Sequence, residues 1–208
     1  MGALLCALLL VQSLPGVGIS SPPIAAALPV SKSDPQDRPM QDSAVRGLFD
    51  PAASFASFTV HTRWLAAMTG RFDALDGRLE TLPNGRLQVQ VALRAASVTF
   101  PDSERTTRWT RSDAFFDVAH HPVIRFRSEA FSQARLSAGG ALDGILELRG
   151  VSKPVRFVLA KSACAQPGVA CPIHAAGRIS RREFGMTRMQ LLVRDNVEFT
   201  FDALLRAP

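Results

Sequence analysis

Leu87-Gln88-Val89-Gln90-Val91-Ala92-Leu93-Arg94 alternates large apolar residues with small or polar ones over eight positions. Successive side chains of a strand point to opposite faces, so this run has one apolar face and one wet face. The same period of two recurs at Ile124–Arg127, Val155–Ala160 and Val197–Asp202. Alternation of this kind predicts an antiparallel sheet with one side buried and the other solvated.

Working outward, eight strands are expected, near 55–63, 67–80, 86–98, 122–131, 141–149, 153–162, 172–181 and 195–206. Pro83-Asn84-Gly85, Gly139-Gly140 and Pro167-Gly168 supply turn chemistry between several of them. Ser103–Val118 lacks alternation; Ser103 is placed to cap a helix and Pro122 stops its continuation. One short helix is therefore expected between the third and fourth strands. Eight such strands close into a barrel or fold into a two-sheet sandwich. The interior of an eight-stranded barrel is either filled by side chains or holds one small ligand, and periodicity does not choose.

The 208 residues suit one domain preceded by an export signal. Residues 1–31 contain no Asp, Glu, Lys or Arg, and Ala3–Val11 is an apolar run too short to span a bilayer. Ala25-Ala26-Ala27 offers a cleavage site, so 1–27 reads as a signal peptide for a periplasmic or secreted protein. Its n-region lacks Lys and Arg, which points to a start codon further upstream. Residues 28–46, rich in Pro, Ser, Asp and Gln, read as a flexible lead-in, and 47–206 as the folded domain. Export removes Cys6 and leaves Cys164 and Cys171 in an oxidising compartment, flanking the Pro167-Gly168 turn. A structural disulfide is expected there.

A net charge of +6 raises the question of a nucleic-acid partner. The 21 arginines, against three lysines, are spread over nearly every strand on the polar parity rather than gathered in a stripe, and the bias toward Arg suggests coding composition more than phosphate contacts. No nucleic acid is expected; a cationic coat suits docking at anionic membrane headgroups instead. His61, His120, His121 and His174 lack zinc-binding spacing, and no nucleophile elbow, phosphate loop or dinucleotide fingerprint occurs. Catalysis, metal and cofactor are not expected.

Several motifs together resemble the YceI-like family of secreted, lipocalin-like barrels that bind polyisoprenoids. They begin with Asp50-Pro51-Ala52-Ala53-Ser54, Phe58, Val60 and Gly70-Arg71-Phe72, and continue through Arg111–Val118, His121-Pro122 and Phe126-Arg127-Ser128. Leu142–Val155, Ser180–Met186 and Asp195-Asn196-Val197 complete the series over about residues 48–206. The family often carries histidine where this chain has Ala53 and Thr62; His61 is one residue out of register and would face the other way.

The resemblance implies an all-β, eight-stranded antiparallel lipocalin-like barrel with an apolar lumen for an isoprenoid-type lipid, quinone-like or polyprenyl. The lining would be the inward set: Phe58, Val60, Phe72, Val89, Val91, Leu93, Ile124, Phe126, Leu146, Leu148, Phe157, Leu159, Phe199 and Phe201. Trp64 and Trp109 are placed for a mouth, and Phe115 and Phe116 read as anchors of the helix rather than as lumen residues. Arg111 and Asp113 near Asp117 read as ion pairs fixing the helix, Lys153 as solvated, and Asp50 as a turn former. The alternative is an envelope or stress-response scaffold with a filled barrel and a surface partner. Lipid identity and oligomeric state, a homodimer included, stay open.

Overall fold

The computed structural model describes residues 44–206, so the expected signal peptide and the lead-in up to residue 43 lie outside the described residues. Eleven strands form one sheet: β1 (Ala44–Leu48), β2 (Phe55–Thr62), β3 (Met68–Phe72), β4 (Leu75–Thr81), β5 (Leu87–Arg94), β6 (Val98–Thr99), β7 (Val123–Ser128), β8 (Gly140–Leu148), β9 (Val151–Leu159), β10 (Ile173–Ser180) and β11 (Val193–Ala203). Their order in space is β1-β4-β5-β7-β8-β9-β10-β11-β2-β3-β6. Every ladder between them is antiparallel, and the sheet curls into a half-barrel.

Eleven strands replace the expected eight for a local reason. The run at 67–80 divides into β3 and β4 at Asp73-Ala74, and the run at 86–98 divides into β5 and β6 at the 3-10 turn Ala95–Ser97. The two breaks face each other. Asp73 N–H donates to the Ser97 carbonyl (3.3 Å), Ala74 N–H to Ser97 Oγ (3.1 Å), and Arg94 N–H to the Ala74 carbonyl (3.1 Å). Neighbouring strands therefore bend together: β3 pairs with β2 and β6, while β4 pairs with β1 and β5. The inward parity switches across the bend, from Gly70 and Phe72 to Leu75 and Leu79 on one side and from Val91 and Leu93 to Val98 on the other. The remaining extra strand, β1, is a short edge strand without alternation.

The helices also differ from expectation. Helix α1 spans only Glu104–Arg111 and lies between the sixth and seventh strands. Ser103 does cap it: its Oγ accepts from Thr106 N–H at 3.1 Å. A second helix, α2 (Ala134–Ala138), and a 3-10 turn at Arg181–Phe184 were not foreseen; each is too short to show a helical period. The ion-pair reading of Arg111, Asp113 and Asp117 is overturned. Arg111 donates instead to the Val98 carbonyl (Nη2 at 2.8 Å), and Asp117 binds His120 at 2.9 Å. That His120 hydrogen bond holds the Asp117 carboxyl below its usual range. Arg149 fastens the segment after the helix, donating to the carbonyls of Asp113 (2.9 Å) and Phe115 (2.5 Å).

Inside the curl, the buried apolar face is dominated by phenylalanine. Phe58 lies within 5.4–5.6 Å, ring to ring, of Phe72, Phe100, Phe116 and Phe199. Farther along, Phe157 meets Phe126 (5.0 Å) and Phe201 (5.2 Å) edge to face. Two cross-strand glycines make room. Gly70 pairs with Phe58 and Gly177 with Phe157, where an added Cβ would come within 2.6 and 2.5 Å of the respective rings. The rings lie over the bare backbone. Outside, cross-strand pairs such as Arg156–Asp143 (2.5 Å) and Arg178–Glu198 (2.7 Å) occupy the wet parity. Each is exposed to solvent and contributes little, so the inner face decides the fold.

Candidate functional site: an apolar lumen in three compartments

The inward residues fill most of the interior and leave three small voids that follow one another along it. The upper void, beside α1, has about 60 Å³ of free space. Phe58, Val60 and Phe199 line it from the strands, with Trp109, Phe115 and Phe116 from α1 and the turn after it. The middle void, about 10 Å³, is bounded by Val91, Leu93, Ile124, Phe126, Leu146, Phe157, Phe199 and Phe201. The lower void, about 50 Å³, takes Val89, Val91, Phe126, Phe157, Leu159 and Phe201 on its walls, with Leu136 of α2.

Twelve of the fourteen residues predicted as lining therefore border a void. Phe72 and Leu148 are the other two; both are 1% exposed and packed into the core without reaching any of the three. Trp109 does stand at the upper void, whereas Trp64 lies outside all three, exposed on the β2–β3 loop. Phe115 and Phe116, read as helix anchors, are wall residues of the upper void, because α1 stops at Arg111 and the chain turns inward after it. His61 faces outward as its register requires, 3.8 Å from Glu198.

The compartments share walls. Phe199 separates upper from middle, while Val91, Phe126, Phe157 and Phe201 separate middle from lower. Further lining was missed by the sequence reading. Leu142 and Val197 lie on the parity that Leu146, Leu148 and Phe199 already marked, and Ile179 follows from the alternation of Ile173, Ala175 and Gly177 with His174, Ala176 and Arg178 in its own strand. Met68, Phe100, Met186, Phe49 and Phe131 come from strand ends and connections, where period two carries no information.

One polar group on the upper wall is exceptional. Arg181, 2% exposed, is the largest fully buried side chain. Its Nη1 donates to the carbonyls of Met186 (2.6 Å) and Arg188 (2.7 Å), its Nη2 to Val193 (3.3 Å) and its Nε to Arg194 (3.2 Å). Burial pushes its pKa down, against the pull of Asp195. Asp195 is itself engaged elsewhere: burial would raise it, but hydrogen bonds from Arg182 and Ser180 outweigh that and hold it low. Arg181 thus acts as a clamp on the loop entering β11, its fork satisfied by backbone oxygens. The Gly185 left-handed turn (φ +75°) brings Met186 back within its reach. Among the described residues, no three His, Cys, Asp or Glu side chains gather into a set that could hold a metal ion.

A single antiparallel sheet curled around an apolar interior defines a class of small all-β, half-barrel proteins. Residues 48–205 match the model of the YceI-like domain, and the chain belongs to that family. Among solved structures it is similar to Burkholderia cenocepacia BcnA, at 19% identity with a TM-score of 0.61, covering 74% of this chain and 98% of that one. It is also similar to a polyisoprenoid binding domain from Saccharophagus degradans implicated in plant cell wall breakdown, at 18% identity and TM-score 0.60, over 79% and 99% of the two chains. A Campylobacter jejuni YceI protein follows at 17% identity and TM-score 0.51, over 69% and 88%. These likenesses establish the fold. No curated protein matches the chain.

Proposed function

We propose that this protein binds an amphiphilic polyisoprenoid, quinone-like or polyprenyl, in its lumen and carries or stores it in the periplasm or outside the cell, without catalysis. The observation behind this reading is the run of three adjoining voids with almost wholly apolar walls. A prenyl tail offers no hydrogen bond, so burial and shape must supply recognition. At about 0.8 kcal/mol per buried CH₂, each five-carbon unit contributes roughly 3 kcal/mol before ordering costs. A few units give useful affinity without a charged anchor.

The Saccharophagus degradans domain carries polyisoprenoid binding in its name, and the shared fold lends support. Methyl-branched units are suited to the compartments, with the phenyl partitions turning aside for the chain between them. The test is organic extraction of the purified protein followed by mass spectrometry. A stoichiometric long-chain amphiphile is expected. Lipid-free protein that also refuses added prenyl ligands would overturn the reading and leave a filled scaffold barrel.

A further inference from the structure

Two loops rise from the rim of the upper void. Residues 63–67, Arg-Trp-Leu-Ala-Ala, join β2 to β3 between Val60 and Met68, both of which line that void. Residues 187–192, Thr-Arg-Met-Gln-Leu-Leu, run between Met186 and Val193, which line it too. The Arg63 N–H donates to the Leu192 carbonyl at 2.9 Å, and Thr62 pairs with Val193, so the loops stand side by side. Leu191 (79% exposed), Leu65 (76%) and Trp64 (73%) are the three most exposed large apolar side chains among the described residues, and all three sit here. Leu192 adds to the patch.

The charge at this end is one-sided. Neither loop contains an acid. Arg63, Arg188 and Arg194, all exposed, make no salt bridge among the described residues. Exposed apolar tips interleaved with unpaired cations suit the boundary between anionic headgroups and acyl chains. The Arg181 clamp holds the second loop by its carbonyls, so little ordering is left to be done on contact.

We propose that these two loops dock the mouth of the upper void onto an anionic phospholipid surface. Trp64, Leu65, Leu191 and Leu192 enter the headgroup–acyl boundary, and Arg63, Arg188 and Arg194 meet the phosphates. Docking rests on the loops alone and does not require the lumen to be occupied. It gives the proposed carrier a place where a lipid can pass between bilayer and void without crossing water.

The chain has only two tryptophans, so the Trp109→Phe variant leaves Trp64 as sole emitter. Mixed with phosphatidylglycerol–phosphatidylcholine vesicles, it should sediment with them and its emission should shift to the blue; phosphatidylcholine alone should bind more weakly. The Leu65→Asp/Leu191→Asp pair should lower vesicle affinity about tenfold or more. Should that pair melt at a lower temperature, Leu65→Ser/Leu191→Ser takes its place. Arg63→Ser should cost about fivefold on anionic vesicles only. Absence of vesicle binding, or undiminished binding by the double variants, overturns the proposal. So does finding that the patch instead holds two copies together, as a dimer in solution that the double variant dissolves. Loading with detergent-solubilised polyprenol separates this proposal from the carrier reading: a double variant that loads but does not dock leaves each intact, and a wild-type protein that docks but never loads defeats only the carrier.

Discussion

The two ends of the lumen are built from the same strands and finished in opposite ways. At the upper end the wall includes Trp109, Met68 and Met186, and the connections that leave it end in exposed apolar tips. At the lower end Phe49, Phe131, Leu136 and Ile173 line the void. The β9–β10 connection beside them is stapled by the Cys164–Cys171 disulfide. Its Gly168 carbonyl accepts from Leu205 N–H at 2.7 Å, tying that connection to the end of the chain. Strand alternation makes a lumen; the connections decide how each end is finished.

The sharpest way to break this contrast is to remove a partition. Phe157 borders both middle and lower voids, and Phe157→Ala should cost about 3–5 kcal/mol in denaturant unfolding while joining the two. The variant should also accept a longer prenyl chain than the wild type, read by mass spectrometry of loaded protein. Next is the clamp at the upper end. Arg181→Met strips four backbone carbonyls of their donor and should destabilise by about 3 kcal/mol. Amide exchange should quicken at 186–194 and stay unchanged in the 160–172 connection; equal quickening at both ends would mean that the ends are not independent. The smallest effect is expected at the lower end. Cys164→Ser/Cys171→Ser opens a ring of about eight residues and should cost roughly 2 kcal/mol, without altering vesicle docking.

Much of this was legible in the chain because parity is a strict code. Leu87–Arg94 and Val197–Asp202 declare which side chains share a face, and nearly all of the fourteen residues chosen on that ground border a void. Where the code fails, something other than parity is acting. The bend at Asp73-Ala74 depends on Ser97 across the neighbouring strand, a contact that no local window contains. Arg181 reads as one more surface arginine until Gly185 folds the next loop over it. Trp64 and Trp109 look alike in sequence, yet one lines the lumen and the other crowns a loop outside it. Whether an aromatic sits in a wall or on a rim is settled by connections, which have no period.

The 13 phenylalanines and the missing tyrosine have a mechanical consequence. Phe126, Phe157, Phe199 and Phe201 stand between compartments with no hydroxyl to bond to the backbone or to each other. A phenyl ring that swings aside strands no donor and breaks no hydrogen bond; it exchanges one set of dispersion contacts for another. Doors hung this way have hinges but no latches.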